Sequence, residues 1–412
     1  MPDAAAASDS GSPVDASASP DAALVPDAGV ASHCLEVVPG HNADDPNRIN
    51  LVLFFGGFDS ATGSLGMPRM FSGLVAGTED NAYSFDPELA KLYAVEGLVA
   101  IEPFKSNFDR FNFWYVDLPL YGSGEVCPFI DVPEGATCSG NLLTTYDKGG
   151  NPTTRALAPE DLVAMGPAGR ACDVPHRFNA VLWSETAVMS EATFARPGHY
   201  ANFGSYAQAN LLFGATTAID KVFEFFVHEF VHAIGEVWDE KGSNASPADY
   251  PAPMPGPNCW SLGPENQRTA AQCAADETRP WHDLVGNGCG EDGVVDCPKT
   301  TGRFDPNVNQ WQVTRFDEWL YEVRDDVDGC GQGCAYFQGN IFRPFQGCDV
   351  MSSCDLTTAP RTGLITRLGP VNAREVCRRI RAITGSAGGA CDLLCLDGCA
   401  AGQRCIKGTC SL

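Results

Sequence analysis

The sequence predicts a mixed α/β (α+β) fold held by disulfides. Short apolar runs with strand character alternate with helical stretches, one helical stretch is apolar on nearly every side, and eighteen cysteines are spread along the chain. Interleaved strands and helices pack as layers around a sheet. So many cysteines, in an even number, become cross-links in an oxidising compartment and are hard to keep reduced in a cytosol. The expected location is therefore extracellular or on a cell surface.

The elements follow in chain order. Residues 1–33 repeat Pro-Asp-Ala three times in an Ala/Ser/Pro/Asp mixture. Such a mixture cannot bury enough apolar surface to offset chain entropy, so a disordered tether is expected. The stretch has no Lys or Arg and no continuous apolar run, and so lacks the parts of a signal peptide. It is similar to the segment after the anchored cysteine of bacterial surface lipoproteins, which implies a lipid or surface tether through the N-terminus. The next segment, 34–385, is expected to form the main domain. Ile49 to Phe55 reads as a buried strand closed by Gly56-Gly57, Pro87 to Ala100 as a helix, and Phe111 to Val116 and Phe178 to Trp183 as further strands. Thr217-Ala218-Ile219-Asp220 has the spacing of a capping box before a long apolar run, and Gly235 stands where a left-handed C′ residue would end that helix. Loops rich in Pro, Gly and Cys follow Glu240. Residues 386–412, with five cysteines from Cys391 to Cys410, read as a small stapled module.

Charge and hydropathy remove whole classes of function. With 27 Lys and Arg against 52 Asp and Glu, the net charge is −25. That field repels an anionic polymer, so no nucleic-acid partner is expected. No run reaches the ~20 apolar residues of a spanning helix, so no transmembrane segment is expected.

The sharpest signal is FVHEFVHAIGEVWDE, residues 226–240, which holds two of the seven histidines in the chain. On a helix, His228 and His232 share one face and can aim two imidazoles at one point, while Glu229 projects beside it. The HExxH spacing supplies two nitrogen ligands for Zn²⁺ and a carboxylate general base for the water that the metal polarises. A buried cluster satisfied by backbone groups is the alternative, but an uncompensated buried carboxylate costs several kcal/mol. Catalytic zinc usually takes a third protein ligand. In the metzincin pattern the helix ends at a glycine three residues past the second histidine and the chain turns back with that ligand. Asp239 is the first choice here, with Glu240 second and Glu236 third.

HEFVHAIGEVWDE resembles the HEFxH…DE signature of the IgA-peptidase family of secreted bacterial zinc metallopeptidases, a metzincin-like group. Other segments resemble that family in the same order, over roughly 48–380. They are Arg48 to Phe58, Glu102 to Ser106 leading into Arg110 to Phe113, Gly256-Pro257-Asn258, Trp281 with Leu284 to Gly286, and Gly339 to Pro344 with Cys348 and Met351. The resemblance implies a metzincin-like peptidase domain with a mixed sheet, an active-site helix and a Met-turn at Met351, the alternative being a core methionine that fills a gap, and Cys348 is expected in a disulfide that holds the loop. Departures are visible: Val231 replaces a glycine, Lys241 a tyrosine, and Leu368 to Asn372 lacks the family's cysteines.

The function expected is a zinc endopeptidase acting on a protein or peptide substrate, with one Zn²⁺ on His228, His232 and Asp239 and with Glu229 as general base. The alternative is a catalytically silent surface binding protein on the same fold. Arg196 to Gly204, with His199, is expected to form the sheet-edge strand or a surface loop. His176 and His282 are expected to be structural, the tail cysteines to form disulfides rather than bind a second metal, and Gly288 to Gly293 to be a cross-linked turn rather than a Ca²⁺ loop.

Overall fold

The computed structural model describes residues 33–56, 68, 70–77, 97–120, 135–139, 142–156, 167–183, 191–193, 200–204, 219–240, 256–261, 269–284, 301–305, 310–315, 330–334, 337–344, 350–351 and 368–412. Residues 1–32 of the N-terminal tether, Thr217 and Ala218 of the capping box, His199, Cys348 and the Gly288 to Gly293 turn lie outside them, as does most of the helix expected from Pro87. Its described end, Leu98–Ala100, is a 3-10 turn.

The architecture is mixed α/β around a six-stranded sheet. In chain order its strands are β1 (Cys34–Glu36), β2 (Ile49–Gly56), β3 (Phe111–Val116), β7 (Arg177–Trp183), β8 (Glu191–Thr193) and β9 (Tyr200–Gly204), and in space they run β1-β3-β2-β7-β9-β8. The four inner strands are parallel, while β1 and β8 run antiparallel at the two ends. Every residue of INLVLFFG in β2 is buried, as expected of a central parallel strand covered on both faces. The sheet corrects one expectation. The strand predicted at the edge, β9, is interior, and the end position belongs to β8, three residues that pair antiparallel with it.

Smaller sheets decorate this body. β4 (Thr137–Ser139), β5 (Leu142–Tyr146) and β6 (Pro152–Ala156) form one, and β10 (Trp260–Ser261), β13 (Gly331–Cys334) and β14 (Phe337–Arg343) another. β11 (Thr301–Asp305) pairs with β12 (Gln310–Arg315), and β15 (Arg404–Ile406) with β16 (Thr409–Ser411).

The motif helix spans Ile219–Gly235 and packs along β7, β8 and β9. Phe226, Val227, Phe230, Val231, Ala233 and Ile234 are all fully buried in the main core, with Leu51, Leu53 and Phe55 of β2. Phe230 alone meets the rings of Phe104, Phe178 and Phe226. A second helix, Pro370–Thr384, crosses the motif helix and completes this layer. It starts with proline at N1 and ends with Gly385 in the left-handed region at φ 79°, the stop signal that glycine tolerates without a Cβ penalty.

The end of the motif helix corrects a second expectation. Gly235 stays helical, and the left-handed residue is Glu236, at φ 53°. The last helical turn closes through the Glu236 N–H donating to the His232 carbonyl at 3.0 Å, and Arg379 of the second helix pairs with the Glu236 carboxylate.

Among the described residues six disulfides are formed. Cys34–Cys172 ties β1 to the segment before β7, and Cys259–Cys334 and Cys273–Cys330 lace the loop region to β13 and its flank. Cys377–Cys391 joins the second helix to the tail, which is cross-linked internally by Cys395–Cys405 and Cys399–Cys410. The tail is therefore stitched to the body, and Cys391 and Leu394 are part of the main core. No helix among the described residues is long and apolar enough to cross a membrane.

Candidate metal centre

His228 and His232 stand one turn apart on the motif helix, and their Nε2 atoms converge to 3.1 Å with the rings nearly perpendicular. The chain then turns back at Glu236 and brings Asp239 to them. Asp239 Oδ1 lies 3.1 Å from His228 Nε2 and 3.7 Å from His232 Nε2. Three donor atoms thus form a small triangle. Tetrahedral bonds of ~2.0–2.1 Å to zinc place neighbouring donor atoms about 3.3 Å apart, so the triangle has the dimensions of three ligands around one ion.

The ring orientations match. His228 Nδ1 is 2.5 Å from the Val350 carbonyl, and His232 Nδ1 is 2.6 Å from the Val237 carbonyl. A carbonyl only accepts, so each Nδ1 carries the proton, and in the neutral ring Nε2 is left as a lone pair aimed into the triangle. The turn at Glu236 therefore has two effects, delivering Asp239 and setting the Val237 carbonyl behind His232. Val350 reaches the site through its carbonyl, and Met351, the next residue, is fully buried.

Burial pushes the Asp239 carboxyl pKa up, but when the two imidazoles also carry a proton on Nε2, their hydrogen bonds and charge outweigh it and hold the group well below the usual carboxylate range. Glu229 is buried as well, and its Oε1 sits 4.0 Å from His228 Nε2, beside the triangle rather than in it. His228 is the most open of the four side chains, at 16 % exposure.

The other two carboxylates considered for the third ligand point elsewhere. Glu236 is half exposed and paired with Arg379. Glu240 is fully buried but accepts from the side chains of Asn258 and Asn372. Those two asparagines escaped the sequence reading as site residues. Gly256-Pro257-Asn258 had stood out only as a segment in family order, and Asn372 lies in a stretch noted for the cysteines it lacks.

The remaining candidates separate cleanly. His282 Nδ1 meets the Arg279 carbonyl at 3.2 Å, and the backbone carbonyl of His176 accepts the Asn50 N–H at 3.1 Å. Cys395, Cys399 and Cys410 cluster closely enough for a metal, but each is in a disulfide.

No family model matches the chain, and no curated protein matches it either.

Proposed function

We propose that the chain is an exported or surface-tethered zinc endopeptidase. The observation that carries this reading is the triangle of His228 Nε2, His232 Nε2 and Asp239 Oδ1 with the buried carboxylate of Glu229 at its side. His228, His232 and Asp239 would hold the ion, and Glu229 would act as general base. Bound there, zinc would supply Lewis acidity towards a scissile carbonyl and lower the pKa of water.

The chain's own residues account for the rest. The Val350 and Val237 carbonyls lock both imidazoles in one tautomer, so their lone pairs are in place before any ligand arrives. Glu229 accepts the proton of the attacking water and returns it to the leaving amine. Its 3 % exposure removes competing solvent from the carboxylate. β8, the end strand beside the motif helix, offers a short antiparallel edge on which an extended peptide could add as a further strand. The disulfide framework suits an oxidising exterior.

Metal analysis of the purified full chain, beside cleavage profiling on a broad peptide library with and without 1,10-phenanthroline, tests the reading. One zinc per chain and chelator-sensitive cleavage are expected. Zinc without cleavage of any peptide would replace the endopeptidase with a catalytically silent binding protein. Absence of zinc from protein supplied with the metal would remove the endopeptidase.

A further inference from the structure

The segment that carries Asp239 is gripped from two directions by asparagine side chains. Asn258 is fully buried and uses its amide as a strand edge would. Its Oδ1 accepts the Trp238 N–H at 2.8 Å, and its Nδ2 donates to the Trp238 carbonyl at 2.7 Å. The same Nδ2 lies 3.2 Å from Glu240 Oε1. From the second helix, Asn372, also fully buried, donates to that Oε1 at 2.8 Å. Bonds to the Glu240 backbone close the arrangement, with its N–H donating to the Met351 carbonyl at 2.8 Å and the Arg343 guanidinium donating to its carbonyl. Asp239 thus sits between two neighbours that are both held, Trp238 by its backbone and Glu240 by backbone and side chain.

Irregular backbone would ordinarily keep conformational freedom, and a ligand on it would be placed loosely. Burying the Glu240 carboxylate is costly unless donors meet it, and an apolar side chain would fill the same space with less desolvation. The donors that meet it come from chain segments 18 and 132 residues away. Their common effect is to fix one short stretch of chain, the one bearing the third donor atom.

We infer that Asn258, Glu240 and Asn372 form a clamp that positions Asp239 against His228 and His232, and through it sets the zinc affinity and ligand geometry of the centre. This rests on the zinc reading proposed above. The three are positioning residues, since they act on the metal only through Asp239.

The test uses the full chain and its Asn258→Ala, Asn372→Ala, Glu240→Ala and Glu240→Gln variants. Zn²⁺ affinity is measured by competition with a chromophoric chelator, the d–d absorption of bound Co²⁺ reports ligand geometry, and thermal unfolding of the metal-free proteins reports stability. The asparagine variants and Glu240→Ala should bind Zn²⁺ about ten- to a hundred-fold more weakly and show an altered Co²⁺ spectrum. Glu240→Gln keeps an oxygen acceptor and should recover part of the affinity. Should Asn258→Ala fail to fold, Asn372→Ala carries the same test through its bond to Glu240 Oε1. A folded asparagine variant with unchanged affinity and spectrum, whatever its melting temperature, overturns the clamp. Wild-type protein that binds neither ion overturns the zinc reading instead.

Discussion

At the scale of single residues, Glu229 is, on the proposed zinc reading, the side chain that separates binding from chemistry. It lies beside the triangle, so Glu229→Gln should leave zinc content unchanged while cleavage falls by roughly 10²- to 10⁴-fold, the usual contribution of a positioned acid–base group. Full activity in that variant would remove the general-base role. His232→Ala should lose both zinc and cleavage, because one of three donor atoms disappears and the Val237 carbonyl is left facing a smaller side chain. Metal content by mass spectrometry and a peptide assay read both variants. His228, Glu229 and His232 were legible because helical periodicity fixes which side chains share a face. Asp239 was legible only as one of three nearby carboxylates, since spacing does not say how a non-helical turn aims its side chains. Asn258 and Asn372 were hidden for a different reason. They act across 20 and 132 residues, and no local pattern encodes a contact at that range.

At the scale of elements, the motif helix is held by its packing. Phe230 is fully buried among Phe104, Phe178 and Phe226, on the residue next to Glu229. Phe230→Ala should destabilise the fold by about 3–5 kcal/mol, and denaturant unfolding of the metal-free protein measures it. A loss below about 1 kcal/mol would mean that this core is far looser than described. The strands were readable because buried parallel strands are continuous apolar runs, as in INLVLFFG. Their neighbours were not, and the displacement of β9 from the edge by β8 shows why. A sequence announces that a strand exists, whereas its place in the sheet is decided by crossover connections and pairing. The helix at Pro370–Thr384 carried a proline start and a glycine stop that pointed to it, yet its arginines and glutamate masked the apolar face that Val376, Cys377 and Ile380 bury.

At the scale of the molecule, the tail is tied to the helix that faces the candidate metal centre. Cys377–Cys391 fastens it to the helix that also presents Asn372, and buried Arg374 of that helix pairs with Asp283, whose other oxygen accepts the Cys399 N–H at 3.1 Å. Replacing Cys377 and Cys391 together by serine should lower stability by about 3 kcal/mol, as expected for a cross-link closing a loop of this length. Hydrogen exchange should then rise first in residues 386–412. Unchanged exchange there would mean that packing alone secures the tail. Composition identifies a stapled module, but spacing could not name Cys377 in the body as the partner of Cys391. The whole account turns on the ion. Crystals of the full chain grown with zinc, measured at the zinc absorption edge, should show one anomalous peak about 2 Å from His228 Nε2, His232 Nε2 and an Asp239 carboxylate oxygen. An empty triangle under those conditions, or a peak with Asp239 turned away from it, would contradict the account.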